Sequence, residues 1–133
     1  MKIAVAKGDG IGPEIMNAVL QIFDANKVPL EYEFVDMGKW VFDKGFSNGM
    51  TPEAKQTIEA LGLLFKGPME TPKGKGVKSI NVTARKTWNT FANKRAVQSL
   101  HGVETVFSKA GIPIDITIVR ENIEDTYGGI EHM

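Results

Sequence analysis

The sequence contains no cysteine. Disulfides, thiolate nucleophiles and cysteine-ligated zinc are therefore excluded. Its two histidines, His101 and His132, stand apart, and no metal-ligand spacing links them. No run of about 18 apolar residues occurs, so no membrane-spanning helix is expected. The strand-like run Lys2–Ala6 follows Met1 directly, without a signal-peptide pattern, so a cytoplasmic protein is expected. Arginine is scarce as well. Only Arg85, Arg95 and Arg120 stand against 13 lysines.

What is present is ordinary globular material. The 133 residues are 42% hydrophobic and 24% charged, enough for one modest domain or a piece of a larger one. Charge is balanced overall but segregated along the chain. Between Lys66 and Arg95 lie eight basic residues and one acid, Glu70. Such a stretch suits an anionic partner, although a solvated lysine-rich face has the same composition. A nucleic-acid module would use this stretch with Trp88 and Phe91, but only the charge pattern speaks for it, and no nucleic-acid partner is expected.

The apolar spacing predicts an α/β chain. Lys2–Ala6 reads as a buried strand. Pro13 opens a helix whose apolar face is Ile15, Met16, Val19, Leu20 and Phe23, with Asn26 past its end. The alternation from Leu30 to Val35 reads as a half-buried strand. Trp40 to Phe46 suits a short helix or turn. Thr51 as cap and Pro52 at the first position start a helix that runs to about Ala60. Leu61–Phe65 reads as a strand, and Lys66 to Lys78, with three glycines and two prolines, as a loop. Ile80, Ala84 and Trp88 recur every fourth residue, predicting a helix from Ser79 to Thr90. Phe91–Val97 is ambiguous. Ile112–Val119 alternates and reads as a strand.

Several residues invite a chemical reading. Arginine grips carboxylates with a planar two-pronged fork that lysine lacks. A lysine-rich chain with three arginines is consistent with reserving them for such contacts, and equally with chance. In Ser79-x-Asn81-x-x-x-Arg85, a helix starting near Ser79 would present free N–H groups, a hydroxyl and an amide to an anion, with Arg85 one turn beyond Asn81. An ordinary N-cap accounts for Ser79 as well. Gly8-Asp9-Gly10-Ile11-Gly12 is not the dinucleotide fingerprint, because its glycine spacing differs and Pro13-Glu14 follow. A tight strand-to-helix turn fits better. Glu121, Glu124 and Asp125 cluster after a strand and could bind Mg²⁺, but acidic loops are common and a divalent site needs favourable geometry. Tyr127, beside Gly128-Gly129, is either a proton donor or a packed aromatic.

Together these segments carry a resemblance. Gly8-Asp9-Gly10-Ile11-Gly12-Pro13-Glu14-Ile15, Lys66-Gly67-Pro68, Thr71-Pro72, Ser79-Ile80-Asn81-Val82-Thr83-Ala84-Arg85-Lys86, Phe91-Ala92-Asn93-Lys94-Arg95, Val119-Arg120-Glu121-Asn122 and Glu124-Asp125-x-Tyr127-x-Gly129 follow one another as in the isocitrate and isopropylmalate dehydrogenases. The chain resembles about the first third of such an enzyme. Two departures, Ala84 for leucine and Ala96 for proline, concern packing. The resemblance implies an isopropylmalate-dehydrogenase-like α/β fold, not a Rossmann domain, and an incomplete one. Residues 1–90 would belong to the large domain, and 91–133 would begin the small dimerisation domain. It implies that Ser79, Asn81, Arg85, Arg95 and Arg120 bind isocitrate, that Thr71 lies by the nicotinamide cofactor, and that Tyr127 is catalytic. Ser79-x-Asn81 points to isocitrate rather than isopropylmalate. The full-length enzyme would be a homodimer converting isocitrate to 2-oxoglutarate with NADP⁺ or NAD⁺ and Mg²⁺ or Mn²⁺. The family's lysine base, metal aspartates and adenosine loops are not in this sequence, so the chain alone is expected to hold a substrate half-site without turnover. A non-catalytic, isocitrate-binding relative is the alternative.

Overall fold

A computed structural model describes residues 1–71 and 79–124. The chain divides into two compact units, Met1–Ala84 and a second that begins at Arg85. In the first unit, β1 (Lys2–Ala6), β2 (Glu31–Phe34) and β3 (Leu64–Lys66) form a parallel sheet in the order β2-β1-β3. Central β1 pairs Lys2 to Val5 with Glu31 to Phe34, and Ala4 to Ala6 with Leu64 to Lys66. Its four residues from Ile3 to Ala6 are buried, which is why the strand reads as an unbroken apolar run.

Helix α1 (Gly12–Ala25) carries the crossover from β1 to β2. Pro13 lies at its start, Glu14 in the first turn complements the dipole, and Asn26 closes it with a side-chain N–H bond to the Ile22 carbonyl of 2.7 Å. Met16 and Leu20 pack on Ile3 and Val5, with Phe23, Leu30, Tyr32 and Phe65 around them. Helix α3 (Pro52–Leu61) carries the return to β3 and buries Ala54 and Ile58. The two crossovers run in opposite directions across the sheet. Right-handed connections therefore put α1 and α3 on opposite faces. Thr51 caps α3, its hydroxyl accepting the Ala54 N–H at 3.1 Å.

Two expectations shift here. The strand foreseen at Leu61–Phe65 begins only at Leu64. Leu61 completes α3, and Gly62, at φ +68°, is its left-handed cap. The short element foreseen at 40–46 is helix α2 (Lys39–Asp43). It starts one residue early because its Lys39 N–H is capped by a carboxylate from another loop, that of Asp9.

Helix α4 (Ile80–Thr87) leads into the second unit. It stops short of the expected Thr90: Asn89 takes φ +48°, and the Thr90 N–H closes onto the Arg85 carbonyl at 3.0 Å. The ambiguous stretch after it is strand β4 (Ala92–Gln98), paired antiparallel with β5 (Asp115–Glu121). The alternating run from Ile112 enters the ladder only at Asp115. Pro113 has no N–H to give, and the Ile114 N–H goes to the Ser99 hydroxyl at 2.9 Å. Between the strands lies a helix the sequence reading missed, α5 (Val106–Lys109), held by a reciprocal capping box of Thr105 and Ser108. Among the described residues no helix is long and apolar enough to cross a membrane.

Candidate functional site

The first group of candidate residues lies where β3 leads towards α4. The Thr71 hydroxyl donates to the Ser79 hydroxyl at 3.3 Å. The Ser79 carbonyl accepts the Thr83 N–H at 2.9 Å, so Ser79 does sit at the helix start. The next residue, Ile80, is only 1% exposed and anchors this helix start in the core. Asn81 follows in the first turn. Its Oδ1 is buried and has no hydrogen-bond partner among the described residues. An unmet buried acceptor costs about 1–3 kcal/mol, so this atom is suited to a ligand that brings a donor such as a hydroxyl. Arg85 lies in the last turn of α4.

The second group is set by strand register. Asn93 pairs with Arg120, Arg95 with Ile118 and Val97 with Ile116. Directly opposed residues share a face, as do residues two apart. Arg95 and Arg120 are therefore diagonal neighbours on one face of the ribbon, about 7–8 Å apart by the usual geometry. Beyond Arg95 the same face turns apolar, with Val97 and Ile116 exposed, and exposed Ile118 stands directly opposite Arg95. Asn93 lies between the arginines and accepts from Arg95 Nε at 3.4 Å. The base of the ribbon is tied to the turn that follows α4 through buried Asn122. Its side-chain N–H donates to the Thr90 carbonyl at 3.0 Å, and its backbone N–H to that of Phe91 at 2.9 Å.

Glu121 does not point to a metal. Its Oε1 accepts the N–H groups of Asn122, Ile123 and Glu124 at 2.8, 2.8 and 3.1 Å. These donations, that of Ile123 foremost, hold its carboxyl below the usual glutamate range. No group of three or more potential ligands that could hold a metal occurs among the described residues. Nor does the glycine turn after β1 fit a phosphate. A Cβ on Gly8 would lie 2.0 Å from the Pro68 carbonyl oxygen, so the glycine admits the chain's own backbone. Thr71, the residue expected beside a nicotinamide cofactor, offers a hydroxyl that is engaged with Ser79. Tyr127, Asp125, His132, Lys73, Lys75 and Lys78 lie outside the described residues. Two clefts in the first unit, of about 380 and 320 Å³, contain none of the candidate residues.

Sequence reasoning missed Asp9 as more than a turn residue. Its carboxylate takes the Lys39 N–H at 2.9 and 2.8 Å and the Glu70 N–H at 3.0 Å. Both donors are backbone groups, so no residue type at positions 39 or 70 could have signalled the contact. It missed Asn93 too, because register is not written in residue identity.

Comparison with known proteins adds a second line of observation. A family description, isocitrate/isopropylmalate dehydrogenase, matches residues 2–133. The NADP isocitrate dehydrogenase of Thermus thermophilus is 47% identical over 131 residues, which cover 98% of this chain and 26% of that protein. Subunit 2 of the mitochondrial NAD isocitrate dehydrogenase of Saccharomyces cerevisiae is 41% identical over 131 residues, covering 98% and 34%. A crystal structure of a Thermus thermophilus protein superposes with a TM-score of 0.85 at 45% identity, covering 99% of this chain and 26% of that one. The chain thus spans a quarter to a third of the length of these relatives.

Proposed function

The chain belongs to the isocitrate/isopropylmalate dehydrogenase family, and on that premise we propose that it forms the substrate-carboxylate half-site of an isocitrate dehydrogenase. Arg85, Arg95 and Arg120 grip the carboxylates of isocitrate, while Ser79 and Asn81 bond its oxygens. The observation that carries this reading is the placement of Arg95 and Arg120 on one ribbon face, since two forks side by side suit a ligand with more than one carboxylate. The unmet Asn81 Oδ1 supports it, because isocitrate brings a hydroxyl as well as carboxylates.

For the whole protein we propose oxidative decarboxylation of isocitrate to 2-oxoglutarate by a homodimer. A nicotinamide cofactor, NADP⁺ or NAD⁺, would supply the hydride acceptor, and Mg²⁺ or Mn²⁺ would supply a Lewis acid. Both cofactor specificities occur among the relatives. Thr71 lies on the cofactor side, and Tyr127 donates the proton that replaces CO₂. The chain alone binds isocitrate without reducing the cofactor.

Titration calorimetry tests the proposal. Isocitrate should bind the chain, and Arg95→Lys or Arg120→Lys, which keep charge but lose the fork, should weaken binding about tenfold or more. Equal affinity in wild type and lysine variants, or no binding at all, overturns it. Reduction of NADP⁺ or NAD⁺ by the isolated chain would overturn the half-site description alone.

A further inference from the structure

We infer that Asp9 is a positioning residue that holds the Thr71 segment in register with Ser79. The inference rests on the reading above, in which Ser79 bonds isocitrate and Thr71, whose hydroxyl reaches Ser79, lies on the cofactor side. Asp9 sits in the turn after β1, at the carboxyl end of the central strand, where ligand sites of parallel sheets form. Its main chain is fixed first. The Asp9 N–H donates to the Pro68 carbonyl at 2.9 Å, and its own carbonyl accepts the Gly12 N–H at 2.8 Å.

Its carboxylate then fixes two further segments. Lys39, 30 residues on, donates its N–H to both oxygens, and Glu70, 61 residues on, donates to Oδ2. The 68–70 segment is thus held at both ends by one residue, through its Pro68 carbonyl and its Glu70 N–H. Thr71 is the next residue, and its hydroxyl reaches Ser79 at 3.3 Å, long for an O–H···O bond. A displacement of a few tenths of an ångström in the segment breaks that contact. Small misplacements of this kind weaken a site without any change in the groups that touch the ligand.

The test uses the ¹⁵N-labelled chain. Asp9→Asn keeps the shape but turns an N–H donor towards at least one of its former partners. It should speed amide exchange at Lys39 and Glu70 about tenfold or more, leave the Thr51-capped Ala54 amide unchanged, and shift the Thr71 and Ser79 resonances together. It should also weaken isocitrate binding several-fold in wild type and not at all in a Thr71→Ala background. An effect of equal size in both backgrounds, or faster exchange throughout the unit, makes Asp9 a general stabiliser and overturns the inference. If Asn does not fold, Asp9→Glu, with its charge kept and its reach lengthened, should give the same pattern. If neither folds, Asp9 is a folding residue and the inference fails. Wild type that does not bind isocitrate sinks the functional reading, while the paired Thr71 and Ser79 shifts still decide the positioning.

Discussion

Replacing Gly49 by alanine drives a methyl group into Ile80, the residue that anchors α4 between Ser79 and Asn81. The new Cβ would stand 2.6 Å from Ile80 Cδ1 and Cγ1 and 3.0 Å from Cγ2. Gly49 also has φ +69°, a left-handed conformation that costs an L-residue about 1–2 kcal/mol. Overpacking a closed core adds about 1–3 kcal/mol, so Gly49→Ala should lose about 2–5 kcal/mol in all. Gly62→Ala separates the two contributions. Its φ is +68°, and its added methyl would meet nothing within 4 Å. It should therefore lose only the strain, about 1–2 kcal/mol. Urea unfolding followed by circular dichroism reads both. Ile80→Val closes the test: alone it should cost about 0.5–1.5 kcal/mol, and in the Gly49→Ala background less, because one clashing carbon is gone. If Gly49→Ala is no worse than Gly62→Ala, or if the Ile80→Val cost is the same in both backgrounds, Ile80 does not press on Gly49 and the account of how α4 is anchored is wrong.

Thr51→Ala should cost about 1 kcal/mol, because it removes the cap of α3; a thermal melt should fall by about 4–8 °C. Asn122→Ala removes the donor to the Thr90 carbonyl and should lower stability by about 1–3 kcal/mol, with faster amide exchange first in Asn122 and Thr90. Glu121 should order its loop at unusually low pH. Its carboxyl is depressed in the folded chain, so its contribution is complete above the ordinary glutamate range and is lost as pH falls through its own lower value. The Asn122 to Glu124 amide resonances should therefore hold their places while free glutamates protonate, and Glu121→Gln should abolish the transition.

Much of the first unit was legible because its signals are local. The apolar run of β1, the stripe from Met16 to Phe23 and the Thr51-Pro52 start each carry their own period or cap. The end of α3 misled because Leu61 continues an apolar run, and only the backbone state of Gly62 marks the break. The second unit was harder. β4 is Ala-Asn-Lys-Arg-Ala-Val-Gln, with no apolar face to give a period of two, and α5 is a single turn whose box uses serine where glutamate is usual. For the site, the motifs identified which residues matter, and the resemblance gave them roles. The pairing of Asn93 with Arg120, the unmet Asn81 oxygen and the reach of Asp9 are properties of register and packing. No residue identity carries them.

The guanidinium resonances themselves give the most direct measurement of the central claim. With only three arginines in the chain, their Nε–H signals can be assigned one by one and followed as isocitrate is added. Shared binding predicts that Arg85, Arg95 and Arg120 all shift along a single saturation curve with one dissociation constant. Any arginine that stays still, or that follows a curve of its own, contradicts it.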